Sequence, residues 1–89
     1  MNQIKSVAKQ YKALGYPKRL MIILHLNKND NESVGDIAKV IGLSERSTSK
    51  HLRQLEEAGL LIAKRRGVFM IYRLPLKKPT LLQSALKNI

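Results

Sequence analysis

The chain has no cysteine, which removes disulfides, thiolate metal ligands and thiol redox switches together. It is also poor in acids: Asp30, Glu32, Asp36, Glu45, Glu56 and Glu57 are all it has, and they fall in the middle third. No apolar run is long enough to span a bilayer, and the opening MNQIKSVAKQ does not look like a signal peptide. A soluble, cytoplasmic protein is the expectation. There is no nucleophile elbow, phosphate-binding loop, pair of acids or Cys/His arrangement, so no enzyme is expected. The hydroxyls of Ser44, Ser47 and Ser49 have no base beside them except His51, and helix capping explains them better. His25 and His51 are the only imidazoles, with no His-x-His or His-x-x-x-His pair to seed a zinc site, so no cofactor is expected.

Against these absences stands a net charge of +11, from 17 Lys and Arg against 6 acids. Solubility needs far less. Because the acids are central, both ends of the chain are purely basic, and a polyanion is the expected partner. An anionic membrane would satisfy the charge, but the cations are spread over several elements instead of lining one amphipathic helix with an aromatic face.

The chain is organised around residues 33–59, SVGDIAKVIGLSERSTSKHLRQLEEAG, which read as two helices joined by a tight turn. Ser33 can cap the first, and Val34, Ile37, Ala38 and Ile41 share one face at three- and four-residue spacing. Gly42 ends it, Leu43 is a buried spacer, and Ser44 caps a second helix that runs to about Ala58 before Gly59 stops it. Leu52, Leu55 and, weakly, Thr48 form the inward stripe of this second helix. Its outer face carries Glu45, Arg46, Ser47, Ser49, Lys50 and Arg53. Cations and hydroxyls near the start of a helix are what a major groove requires, for guanine edges, phosphates and nearby acceptors. A plain solvated face has the same composition; the short helix, glycine turn and Ser-capped second helix in combination favour DNA.

The segment GLSERSTSKHLRQLEEAGLL resembles the helix-turn-helix of ArsR-like winged-helix transcriptional repressors. Thr48 stands where that pattern usually has Val. The resemblance extends upstream to GYPKRLMIILHL (residues 15–26) and downstream to RRGVFMIYRL (residues 65–74). It implies a winged helix, mainly α with a β-hairpin wing, in the order α-α-α-α-β-β-α. It also implies dimerisation through the first and last helices. ArsR-like metal sensors commonly carry Cys-Val-Cys at the start of the first motif helix, where this chain has Ser33, Val34 and Gly35; the other common site uses His and carboxylates on the last helix, and LLQSALKNI has neither. Metal sensing by either route is not expected.

The remaining segments fit this frame. Residues 3–14 place Ile4, Val7, Ala8, Tyr11 and Leu14 on one helical stripe, with Lys5, Lys9 and Lys12 opposite. Pro17 is suited to start the next helix, about Pro17 to Lys28, whose near-continuous apolar run marks it as the buried centre. His25 within that run reads as a hydrogen-bonded structural residue, Arg19 as mostly structural by the resemblance, and His51 as packing at the edge of the helix interface. Asn27 to Asn31 is a loop. Leu60 to Lys64 and Val68 to Leu74 are β-prone and flank Arg65-Arg66-Gly67, which predicts a hairpin wing with a basic tip able to meet the DNA backbone or minor groove. After the Pro75 to Pro79 connector, Thr80 can cap a final helix whose Leu81, Leu82, Ala85, Leu86 and Ile89 need a cover, either a partner chain or the chain's own core.

The expectation is therefore one winged-helix domain over residues 1–89, with residues 1–14 and 80–89 as dimerisation helices, acting as a homodimeric repressor on an inverted-repeat operator. Its DNA-binding residues are Ser44, Glu45, Arg46, Ser47, Ser49, Lys50, Arg53, Lys64, Arg65 and Arg66. Two other functions fit the same residues: a non-specific DNA-coating or plasmid-maintenance protein, and a winged-helix module whose recognition face binds protein.

Overall fold

A computed structural model describes residues 2–89; Met1, part of the expected dimerisation helix 1–14, lies outside them. Two helices open the chain, α1 (Asn2–Leu14) and α2 (Pro17–Lys28), broken at Gly15 and Tyr16. Pro17 begins α2, where a missing N–H leaves no intrahelical bond unmade. Ile22, Ile23 and Leu26 of α2 are buried, while Met21 is exposed, so the helix is central but not apolar all round.

A two-residue strand, β1 (Glu32–Ser33), follows the loop and is absent from the predicted element order. It leads directly into α3 (Val34–Ile41), where the Ser33 hydroxyl accepts the Asp36 N–H at 3.2 Å as the spacing predicts. Gly42 closes α3 at φ 71, a left-handed conformation that costs an L side chain energy and glycine nothing. Lys18 Nζ donates to Ile41 O at 2.6 Å, placing a cation on the negative end of α3 and tying it to α2. Leu43 is half-buried against the core rather than sealed in it.

Ser44 caps α4 (Glu45–Glu57) by accepting the Ser47 N–H at 3.1 Å, and the helix ends as Leu60 N–H reaches back to Leu55 O at 2.9 Å. Leu60 and Leu61 are then buried ahead of the hairpin instead of belonging to its first strand. The hairpin is β2 (Ile62–Arg66) and β3 (Phe69–Arg73), antiparallel, with Arg66 opposite Phe69. β1 pairs with the other edge of β3, Glu32 opposite Tyr72, so the sheet order is β1-β3-β2.

The last helix, α5 (Thr80–Lys87), is capped from Pro79, and Thr80 occupies its first turn without a side-chain capping bond, contrary to expectation. Leu81 and Leu82 go into the chain's own core with Ile22, Ile23, Leu26, Leu52 and Leu55. Much of the cover that α5 needs is thus intramolecular. On α1, by contrast, Ala13 and Leu14 are buried while Ile4 and Tyr11 are 67% and 63% exposed.

Candidate nucleic-acid interface

The site is built on α4, whose two sides differ sharply. Thr48, Leu52 and Leu55 are fully buried, and the Thr48 hydroxyl has no hydrogen-bond partner. Arg46, Ser47, Lys50 and Arg53 are exposed on the opposite side. Among the described residues the only carboxylate within salt-bridge distance of a basic group is Glu32, and its partner is His25. The α4 cations therefore face solvent with no carboxylate within salt-bridge distance, Glu56 and Glu57 of the same helix included. Ser44 is exposed and engaged as the cap, so its hydroxyl has one acceptor position already in use.

Glu45 and Ser49, four residues apart, lie on one flank of α4. They line a cavity of about 290 Å³ together with Ser33, Val34, Gly35 and the wing residues Val68, Phe69 and Met70. That cavity joins the recognition helix to the wing. The Glu45 carboxylate sits against the first turn of α3, where a Cβ on Gly35 would be 3.6 Å from Glu45 Oε2. Two helix N-termini, its own and that of α3, favour a negative charge there.

The wing differs from expectation in register. Gly67 takes φ 63 at the first central position of a two-residue turn, the place where a tight hairpin needs glycine. Gly67 and Val68 are consequently the tip, and Lys64, Arg65 and Arg66 belong to β2. Strand alternation then separates the two arginines: Arg65 stands opposite Met70 on the face that also bears the core-packed Ala63, while Lys64 and Arg66 share the other face. All three are exposed.

On the opposite flank of α4 lies a cluster that was only partly legible. Arg19 Nε donates to His51 Nδ1 at 2.9 Å, Nη1 donates to Ala13 O at 2.9 Å, and the guanidinium stands 4.0 Å over the Tyr16 ring. His51 is half-buried at the helix interface, as predicted, and Arg19 is the residue that holds it. Burial lowers the His51 pKa, and the Arg19 charge lowers it further. Because Nδ1 accepts from Arg19, the neutral ring carries its proton on Nε2. His25 is structural too, its Nε2 lying 2.6 Å from Glu32 Oε1 and linking α2 to the sheet edge. With one imidazole engaged by Glu32 and the other by Arg19, the described residues contain no group of three His, Cys, Asp or Glu able to hold a metal ion. No helix among them is long and apolar enough to cross a membrane.

A helix that exposes Arg46, Lys50 and Arg53, seated on a three-helix support and flanked by a hairpin, defines a winged helix-turn-helix protein. The family model described as bacterial regulatory protein, arsR family, matches residues 16–63. The chain is 31% identical over 78 residues to the HTH-type transcriptional regulator YgaV of Escherichia coli, covering 88% of this chain and 79% of that protein. It is 34% identical over 83 residues to the biofilm growth-associated repressor of Xylella fastidiosa, covering 93% and 72%. A solution structure from Mycobacterium bovis, described as a homodimeric winged helix-turn-helix DNA-binding domain and a possible ArsR-family transcriptional regulator, superposes with a TM-score of 0.80 at 26% identity, covering 98% and 77%. The chain belongs to the ArsR family, whose members are DNA-binding transcriptional regulators and not enzymes.

Proposed function

We propose that the chain is a homodimeric, sequence-specific repressor. Each subunit lays Ser44 to Arg53 in a major groove, with Arg46, Lys50 and Arg53 reaching base edges and phosphates and Glu45, Ser47 and Ser49 supplying shorter polar contacts. Lys64, Arg65 and Arg66 meet the flanking backbone or minor groove. The observation that carries this reading is the unpaired cationic face of α4, exposed above a fully buried Thr48, Leu52 and Leu55.

Dimerisation is supported by the exposed stripe of Ile4, Val7 and Tyr11 on α1. That stripe borders a groove of about 290 Å³ shared with Thr80, Leu81 and Ser84 of α5. A two-fold dimer then calls for an inverted-repeat operator with half-sites about one helical turn, or a multiple of it, apart. The cysteine-free composition and the engagement of both histidines favour an effector other than a thiolate- or imidazole-bound metal.

The test is a shift assay on DNA from upstream of the protein's own gene, in physiological salt, against excess random duplex. A specific repressor retains the upstream DNA, and sedimentation of the complex finds two chains per operator. Equal loss of both DNAs to competitor contradicts sequence specificity and leaves the DNA-coating alternative.

A further inference from the structure

We propose that the cavity between α1, α2 and α4, lined by Lys9, Lys12, Tyr16, Arg19 and Gln54, seats a phosphate of the DNA backbone on the side of the recognition helix away from the wing. The inference rests on the reading of α4 as the groove-entering helix and adds a contact that its outer face and wing do not contain.

The placement follows from the two flanks of α4. Ser47, His51 and Gln54, at i, i+4 and i+7, share one flank; Glu45 and Ser49 mark the other. Val68, Phe69 and Met70 of the wing border the Glu45 and Ser49 flank, and the cavity borders Gln54. An α-helix with its side chains is about 10–12 Å across and the major groove about 12 Å wide, so an inserted helix has a backbone strand along each flank. The wing attends to one strand. The surface beside Gln54 faces the other.

Its chemistry is that of an oxyanion receptor. The cavity, of about 340 Å³, is lined by three cations and no acid. Arg19 is already ordered by Ala13 O, His51 Nδ1 and the Tyr16 ring, so little conformational freedom remains to be lost when a phosphate arrives. Its bonds to the described residues use two of the five guanidinium N–H groups, which leaves donors for a phosphate oxygen. His51 acts as a positioning residue, holding Arg19 through Nδ1. The Tyr16 hydroxyl and the Gln54 amide supply neutral donors at the rim, and Lys9 and Lys12 are exposed and free to swing inward.

The experiment is a fluorescence-anisotropy titration of a labelled random-sequence duplex between about 50 and 200 mM KCl, because phosphate contacts are sequence-independent and set the salt slope. The double variant Lys9→Gln, Lys12→Gln is compared with Lys28→Gln, Lys77→Gln, which removes equal charge from two exposed sites outside the cavity, the last residue of α2 and the connector before α5. The first pair is expected to flatten the slope by about 0.9 for each lysine that meets a phosphate and to weaken binding at about 100 mM KCl at least about tenfold. The second is expected to leave the slope unchanged. Equal slopes for the two pairs would overturn the seat, since net charge alone would then account for the effect. Arg66→Ala separates the two levels: loss of affinity there with none in the Lys9, Lys12 pair overturns the seat and spares the recognition reading. If Arg66→Ala and Lys50→Ala also bind as wild type, the recognition reading fails as well. Calorimetric titration with inorganic phosphate at matched ionic strength covers the other source of the same chemistry. Phosphate uptake by the cavity with DNA affinity unaltered in the Lys9, Lys12 pair assigns it to a free anion and overturns the backbone seat.

Discussion

The two faces of α4 are made from one thirteen-residue helix yet answer to different demands. Inward, Leu52 and Leu55 are fully buried and join α4 to the rest of the core. Outward, Arg46, Lys50 and Arg53 stand exposed with no acid within salt-bridge reach among the described residues. Exposed cations add almost nothing to folding, because water already solvates them. Folding stability does not account for their placement; the proposed DNA contact does. On the proposed reading one face accounts for stability and the other for recognition, and substitutions on the two faces should separate these properties.

The largest effect should come from the buried face. Leu52→Ala is expected to lower unfolding free energy by about 2–5 kcal/mol, the range for removing a fully buried leucine side chain from a packed core. Urea denaturation checks it, and a loss below about 1 kcal/mol would mean that α4 is not anchored as described. On the outward face, Arg46→Ala is expected to weaken operator binding by about 1–3 kcal/mol where the lost contact is bidentate to guanine, and to relax preference at one base position. Its unfolding free energy should stay within about 0.5 kcal/mol of wild type. A fall in stability without a fall in binding would invert the comparison.

Thr48 sharpens it from inside. Its hydroxyl is buried without a partner, and an unmet polar group of this kind costs about 1–3 kcal/mol. Thr48→Val keeps the shape and removes the orphan, so it is expected to raise stability by about 1 kcal/mol, or roughly 4–8 °C in melting temperature. DNA affinity should not move. A loss of stability on Thr48→Val would show that the hydroxyl finds a partner in solution.

The smallest effect lies at the border of the two faces. The folded-state pKa of His51 is depressed by burial and by Arg19, so as pH falls through about 6.5 the unfolded chain takes up a proton before the folded one does. Its contribution to stability is whole above that pH and declines below it, levelling off once the folded-state pKa is passed. His51→Gln should remove this part of the acid sensitivity, read as a smaller change in melting temperature between about pH 7.5 and pH 5. An identical pH profile in the variant would show that His51 is solvated in the folded protein.

Most of this comparison was legible in the sequence because its signals are local. Ser44, Gly42, Gly59 and the apolar spacing of residues 34–55 each act within a turn or two of the backbone, and they set α3 and α4 nearly to the residue. What was missed depends on partners distant in the chain. Glu32 and Ser33 have little β preference and form a strand only because β3 offers an open edge to them at Ile71 and Tyr72. The Arg19 to His51 bond joins residues 32 apart, and no spacing rule foretells it. The two β-prone runs foretell the hairpin, but its tip lies at Gly67 and Val68, later than the Arg65-Arg66-Gly67 turn they suggest. Gly67 in a two-residue turn pulls both arginines into β2, where alternation parts them. The apolar stripes of α1 and α5 looked alike as sequence; only packing shows that Leu81 and Leu82 are covered while Ile4 and Tyr11 are not.

Whether the exposed side of α4 enters a duplex is tested most directly by following backbone amide resonances of the labelled protein as operator DNA is added. The account expects the main shifts at residues 44–53 and 64–69, with the buried side of α4 and the core of α2 scarcely moving. Shifts confined to α1 and α5, with residues 44–53 unmoved at saturation, would contradict it.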